Sequence, residues 1–259
     1  MKILILTELF VLRRRAVGRA ILWLCTGLPV AVAILYGQLS SSDMTFNEKP
    51  VSALLAFSGP DATQVALRAL HTLVPLFILA LAGQSWAGER SSHVLREHWV
   101  RPVSRSTVLW AKILSLWAMA LLSLAGATCL SLLVTTPWLG SDGPWAELAV
   151  SFFMSAPCLL GLTLLASCVA QFGRATASVI VGGLLFLGID LGMRLGLSAL
   201  DFVGVSWAGP LKSGLFGEAV SQWSTAVDGV SLGPVVSLVA GLAVLTLVTW
   251  RRVDRMEVP

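Results

Sequence analysis

The chain has 259 residues, of which 56% are hydrophobic and only 12% charged, with a net charge of +4; soluble globular domains carry about 45–50% apolar and about 25% charged residues. With a mean hydropathy of +0.83, the composition excludes a soluble globular domain and describes a polytopic membrane protein. The basic residues gather at the ends of apolar runs, which membrane topology explains and a nucleic-acid-binding surface does not.

Met1 to Arg19 place Thr7, Glu8, Arg14, Arg15, Gly18 and Arg19 largely on one helical side, opposite Ile3, Leu6, Phe10 and Val17. This predicts an interfacial amphipathic helix over residues 1–19 with its basic end near anionic headgroups. The alternative is a secretory signal with Ala20 to Val30 as its apolar region and Ala31-Val32-Ala33 as its cleavage site. A long amphipathic basic region followed by five further apolar runs argues against cleavage.

About 20 apolar residues are needed to cross about 30 Å of hydrocarbon. Six stretches qualify, at about 20–39, 69–87, 108–134, 148–170, 175–197 and 232–250, so the predicted fold is an all-α polytopic membrane domain of six transmembrane helices filling the chain. The third is long enough to tilt or project from the bilayer. Pro75 and Pro157 fall inside the second and fourth and predict local kinks.

Orientation follows from charge. If the spans alternate, fourteen of the eighteen lysines and arginines lie on one side: the N-terminus, the second-to-third connection, Arg174, and Arg251, Arg252 and Arg255. That side is cytoplasmic, and so are both termini. The other side carries Asp43, Glu48, Asp61, Asp142, Glu147, Asp201, Glu218 and Asp228 with turn clusters such as Ser58-Gly59-Pro60-Asp61. Residues 198–231, half apolar and holding Trp207, Phe216 and Trp223, are expected to form short helices lying in or dipping into the outer interface.

The most charged connection runs from Ser85 to Lys112 and carries Arg90, Arg96, Arg101, Arg105 and Lys112. Val94, Leu95, Trp99 and Val103 suggest a short amphipathic surface helix stopped by Pro102. Glu89-Arg90, Leu95, Arg101-Pro102-Val103-Ser104-Arg105 and Lys112-Ile113-Leu114 resemble the G-E-R, G-T-L, R-P-v-S-R and G-K-l-l pattern between the second and third membrane helices of ABC type-2 permeases. His93-Val94 stands where that family usually has Gly-Thr, and Ala111 where it usually has Gly. The resemblance implies an inner-membrane permease subunit, most naturally an exporter, that pairs with a second copy or a homologue and hydrolyses no ATP itself. Separate cytoplasmic ATPase subunits, binding ATP and Mg, would dock on the coupling segment 88–107, together with the turn Gln171 to Arg174. Its coupling candidates are Glu89, Arg90, Leu95, Arg101, Pro102 and Arg105. Membrane lipids and an accessory envelope subunit complete the implied partners, and nucleic acid is not among them.

Asp190 and Arg194 lie four apart in the fifth span, where charge is costly enough to point to a protein-facing or cavity-facing site. A self-neutralising structural pair, a lining of the substrate path or subunit seam, and a gate all remain open. Glu89, His93 and Glu97 share a helical face, but no H-E-x-x-H occurs and arginines lie between them, so no metal is expected. Cys25, Cys129, Cys158 and Cys168 sit inside or at the edges of apolar spans and read as small buried hydrophobes. Gly209-Pro210-Leu211-Lys212-Ser213 lacks the glycine that a phosphate loop needs before its lysine. Without that loop, or a nucleophile elbow, the chain is expected to have no cofactor and no catalytic residue of its own. A non-transporting scaffold or signalling protein and a secondary transporter are the competing classes.

Overall fold

The computed structural model describes residues 2–14, 16–40, 45–46, 49–50, 58–91, 104–173, 175–213, 215, 218 and 232–254. An amphipathic helix α1 (Lys2–Arg14) leads into α2 (Ala16–Ser40). Two-residue strands β1 (Thr45–Phe46) and β2 (Lys49–Pro50) pair antiparallel. Helix α3 (Gly59–Gly83) runs on through a π-helical turn, Gln84–Gly88, and a last α turn, Glu89–Ser91. There follow α4 (Arg105–Leu139), α5 (Trp145–Phe172), α6 (Thr176–Phe202), the short α7 (Ala208–Ser213) and α8 (Leu232–Asp254).

Among the described residues, four helical stretches are long and apolar enough to cross a membrane: Gly18–Gln38, Arg105–Leu139, Trp145–Phe172 and Thr176–Phe202. Val74–Gly88 is a shorter apolar stretch, and the predicted span at 232–250 lies within α8. At 35 residues, α4 would reach about 52 Å at 1.5 Å per residue, well beyond the hydrocarbon thickness. Pro75 and Pro157 both lie within helices that continue past them.

Helix α3 begins well before the apolar run that predicts it, because Ser58 is its N-cap. The Ser58 amide and hydroxyl donate to Asp61 Oδ2 at 3.0 and 2.6 Å, and the Asp61 amide donates back to Ser58 Oγ. Together with Pro60 at the helix start, this reciprocal cap makes a helix terminus of what the sequence suggests is a solvated turn. Gly59 then lets α3 meet the end of α4: its amide donates to the Gly140 carbonyl at 3.1 Å, and its carbonyl lies 3.3 Å from Thr135 Oγ1.

Helices α2, α3 and α4 pack on one another, and α5 sits against α3, α4 and α8. Their shared interior holds Trp86, Leu109, Ile113, Leu116, Leu124 and Leu159. Small hydroxyl residues recur at helical spacing on the inward faces, Ser115, Ser123, Ser131 and Thr135 on α4 and Ser151, Ser155, Thr163 and Ser167 on α5. Several return their proton to their own helix, as Ser123 does to Met119 and Thr135 to Ser131. That satisfies the hydroxyl without water and keeps the side chain short enough for close helix packing. Trp117 Nε1 adds a cross-helix bond to the Ala156 carbonyl at 2.9 Å.

Helix α6 lies at the margin. Over its most apolar window only 17% of residues are buried, against 56% in α5, and Val181, Leu185, Ile189 and Leu195 are exposed. So large an apolar face suits lipid or a protein neighbour, not water. Where α6 crosses α3, a β-carbon at Gly183 would collide with the Leu79 side chain.

Candidate coupling site

Lys112 sits two turns into α4 and is completely buried. Its Nζ donates to Glu89 Oε2 at 2.5 Å, to the Ser85 carbonyl at 3.2 Å and to Ser85 Oγ at 3.3 Å, and lies 3.1 Å from Glu8 Oε1. The Trp86 ring covers it at 5.6 Å. An ammonium withdrawn from water costs several kcal/mol unless its protons are used, and here two carboxylates, a carbonyl and an aromatic face surround it.

The local backbone makes this convergence possible. A π turn is wider than an α turn and is frequent at functional positions. Here it spans Gln84–Gly88, and Ser85 within it and Glu89 directly after it meet the same lysine. Glu8 arrives from α1, whose outward face carries exposed Ile3, Leu6 and Phe10.

Arg90, next to Glu89, turns the other way. Its Nη1 donates to the carbonyls of Gln171 and Gly173, both at 3.2 Å, at the end of α5 where the helix dipole favours a cation. Burial, and then the positive charge of Arg252, hold its guanidinium below the ordinary arginine range. The Arg252 guanidinium itself lies over the Phe172 ring at 5.2 Å.

Of the predicted coupling residues, the structure thus brings Glu89 and Arg90 to one place and turns Glu89 inward, 3% exposed. Arg105 is the first residue of α4, after the N-cap Ser104; a cation there opposes the helix dipole, so local helix stability does not account for it. Leu95, Arg101 and Pro102, with His93 and Glu97, lie outside the described residues.

Asp190 and Arg194 do pair: Arg194 Nε stands 2.9 Å from Asp190 Oδ2. Arg194 also lies 3.9 Å from Glu218, which is 3.7 Å from Lys212 in α7. The pair therefore belongs to a small charged network on the second half of α6, well separated in sequence from the Lys112 cluster.

Glu8, Ser85 and Lys112 were not among the site residues that the sequence suggests. The available signals were a lysine inside the apolar run 108–134 and a single acid on the otherwise basic polar face of α1. A charge within a span calls for a partner, and Glu8 is the single acid of α1.

The profile of the family described as ABC-2 family transporter protein matches residues 4–189, a range that takes in Glu8, Glu89, Arg90 and Lys112 and stops just before Asp190. Comparison with curated proteins finds no match. The match covers more than two thirds of the chain and agrees with its helical, apolar architecture, so the chain belongs to the ABC-2 transporter family, as a multi-pass membrane permease subunit of an ABC transporter.

Proposed function

We propose that the chain is a six-span permease subunit of the inner membrane, with both termini cytoplasmic, that pairs with a second copy or a homologue to form an export path. Separate ATPase subunits, carrying ATP and Mg, dock on residues 88–107 and on the turn Gln171 to Arg174. Their closure pushes these handles and rocks the two halves, moving substrate outward or between leaflets.

The observation that carries this reading is the bonding of Arg90 to the Gln171 and Gly173 carbonyls. It ties the start of one expected docking segment to the end of α5, where the other lies, which supports a partner that acts on both together. The family match supports an ATPase as that partner, and the basic residues Arg101 and Arg105 suit an acidic docking face.

Reversing charge at Arg101→Glu with Arg105→Glu, in membranes holding the chain and its ATPase, tests the docking. Cross-linking between the two should fall at least about tenfold while membrane insertion is unchanged, since a few interfacial charges of this kind contribute on the order of 1–3 kcal/mol. Undiminished cross-linking would remove the segment from the interface.

A further inference from the structure

We propose that Glu8 and Lys112 are positioning residues that hold α1 in register with the docking segment, so that the N-terminal helix moves together with that segment; the consequence for transport rests on the docking reading above. The buried cluster joins three separate parts of the chain: Glu8 from α1, Ser85 and Glu89 around the π turn, and Lys112 from α4. Glu89 lies near the start of the docking segment and Lys112 just beyond its end, so their ion pair fixes both ends. Glu8 adds α1 to the same post.

Besides Glu8, α1 is held by apolar packing, through Leu12 and in part Leu9. Among its described side chains only Glu8 and Leu12 are buried, while Ile3, Leu6 and Phe10 face outward at 82%, 66% and 54% exposure. That outward face suits the lipid boundary, and lipid does not fix the helix against sliding. The contact that does is polar and directional. A leucine at position 8 would anchor α1 by burial alone, whereas a carboxylate beside a buried ammonium has a single favourable register and a large penalty for leaving it.

The geometry also explains why two acids face one lysine. With Glu89 alone, Lys112 would hold the ends of the docking segment together and α1 would be held only by the non-directional apolar packing of Leu9 and Leu12. With Glu8 as well, displacing the segment either carries α1 along or separates a buried carboxylate from its cation. The second course is expensive in an apolar setting, so α1 follows.

The test uses the full chain in lipid nanodiscs, with and without its ATPase. Hydrogen exchange is read on residues 2–14 for the parent, Glu8→Gln, Glu8→Asp and Lys112→Met. Glu8→Gln keeps shape and the Lys112–Glu89 pair but removes the charge on α1, so α1 amides should exchange about tenfold faster or more, with α4 and α5 unchanged. Glu8→Asp should restore much of the protection. Equal α1 exchange in parent and Glu8→Gln would overturn the proposal, and should Lys112→Met fail to fold, the glutamate variants still decide it. With the ATPase present, Glu8→Gln should leave the subunit bound while transport per ATP falls several-fold; unchanged transport with a loosened α1 would show that α1 is no part of the moving unit and would overturn the proposal too. Failure of the docking reading appears differently, as no ATPase bound to the parent chain, and leaves the exchange comparison intact.

Discussion

Glu89 and Lys112 close on each other across the segment that joins α3 to α4, Oε2 to Nζ at 2.5 Å. The acid that ends α3 and the lysine two turns into α4 therefore set the spacing of the segment's two ends, and Glu8 and Ser85 complete the enclosure of the lysine.

Lys112→Met should destabilise the chain by about 3–5 kcal/mol, because it leaves two buried carboxylates without their cation. Lys112→Arg should cost less, since it keeps the charge while crowding the cavity. Thermal unfolding in detergent, followed by circular dichroism, compares the two.

Arg90→Ala should cost about 1.5–3 kcal/mol, the usual value for hydrogen bonds from a charged donor, through loss of its bonds to the Gln171 and Gly173 carbonyls. Arg90→Lys should recover part of it. Faster hydrogen exchange at the end of α5, with α3 unchanged, is the expected signature.

The all-helical architecture was legible because crossing a membrane demands long apolar runs, and each of the six predicted stretches falls in a helix. The start of α3 was not, since Ser58-Gly59-Pro60-Asp61 reads equally as a turn and as a cap until Asp61 is seen to bond back to Ser58. The charged pair Asp190–Arg194 was readable from its spacing of four. The Lys112 cluster was not, because periodicity reports neighbours one turn apart, and Glu8, Glu89 and Lys112 meet only through tertiary packing. The sequence placed Glu89 on a docking face, whereas its carboxylate points inward; Arg90 beside it makes the surface contact to α5.

Asp190→Asn and Arg194→Gln should each destabilise more than the double substitution does, because either single change strands the other charge at the edge of hydrocarbon. Glu218→Gln should have a smaller effect, its contacts being longer at 3.9 and 3.7 Å. If the double variant also keeps assembly and transport, the pair is structural.

Gly183→Leu should separate α6 from α3 by driving a side chain into Leu79, at a cost of about 1–3 kcal/mol for overpacking. Leu79→Ala in the same chain should recover part of the loss, which a melting curve would show.

The proposed orientation places Asp142 outside and Arg251 inside. In a chain whose native cysteines are replaced, Asp142→Cys should react with a membrane-impermeant maleimide on intact cells and Arg251→Cys only after permeabilisation. The reverse pattern would invert the topology.

The most direct test of the central claim is purification of the tagged chain from its native host in mild detergent, with mass spectrometry of the proteins that accompany it. A soluble subunit bearing G-x-x-x-x-G-K-[ST] should co-purify and should be lost on Arg101→Glu with Arg105→Glu. Absence of any nucleotide-binding subunit across several detergents would contradict an ATP-driven permease and leave the chain as a membrane scaffold.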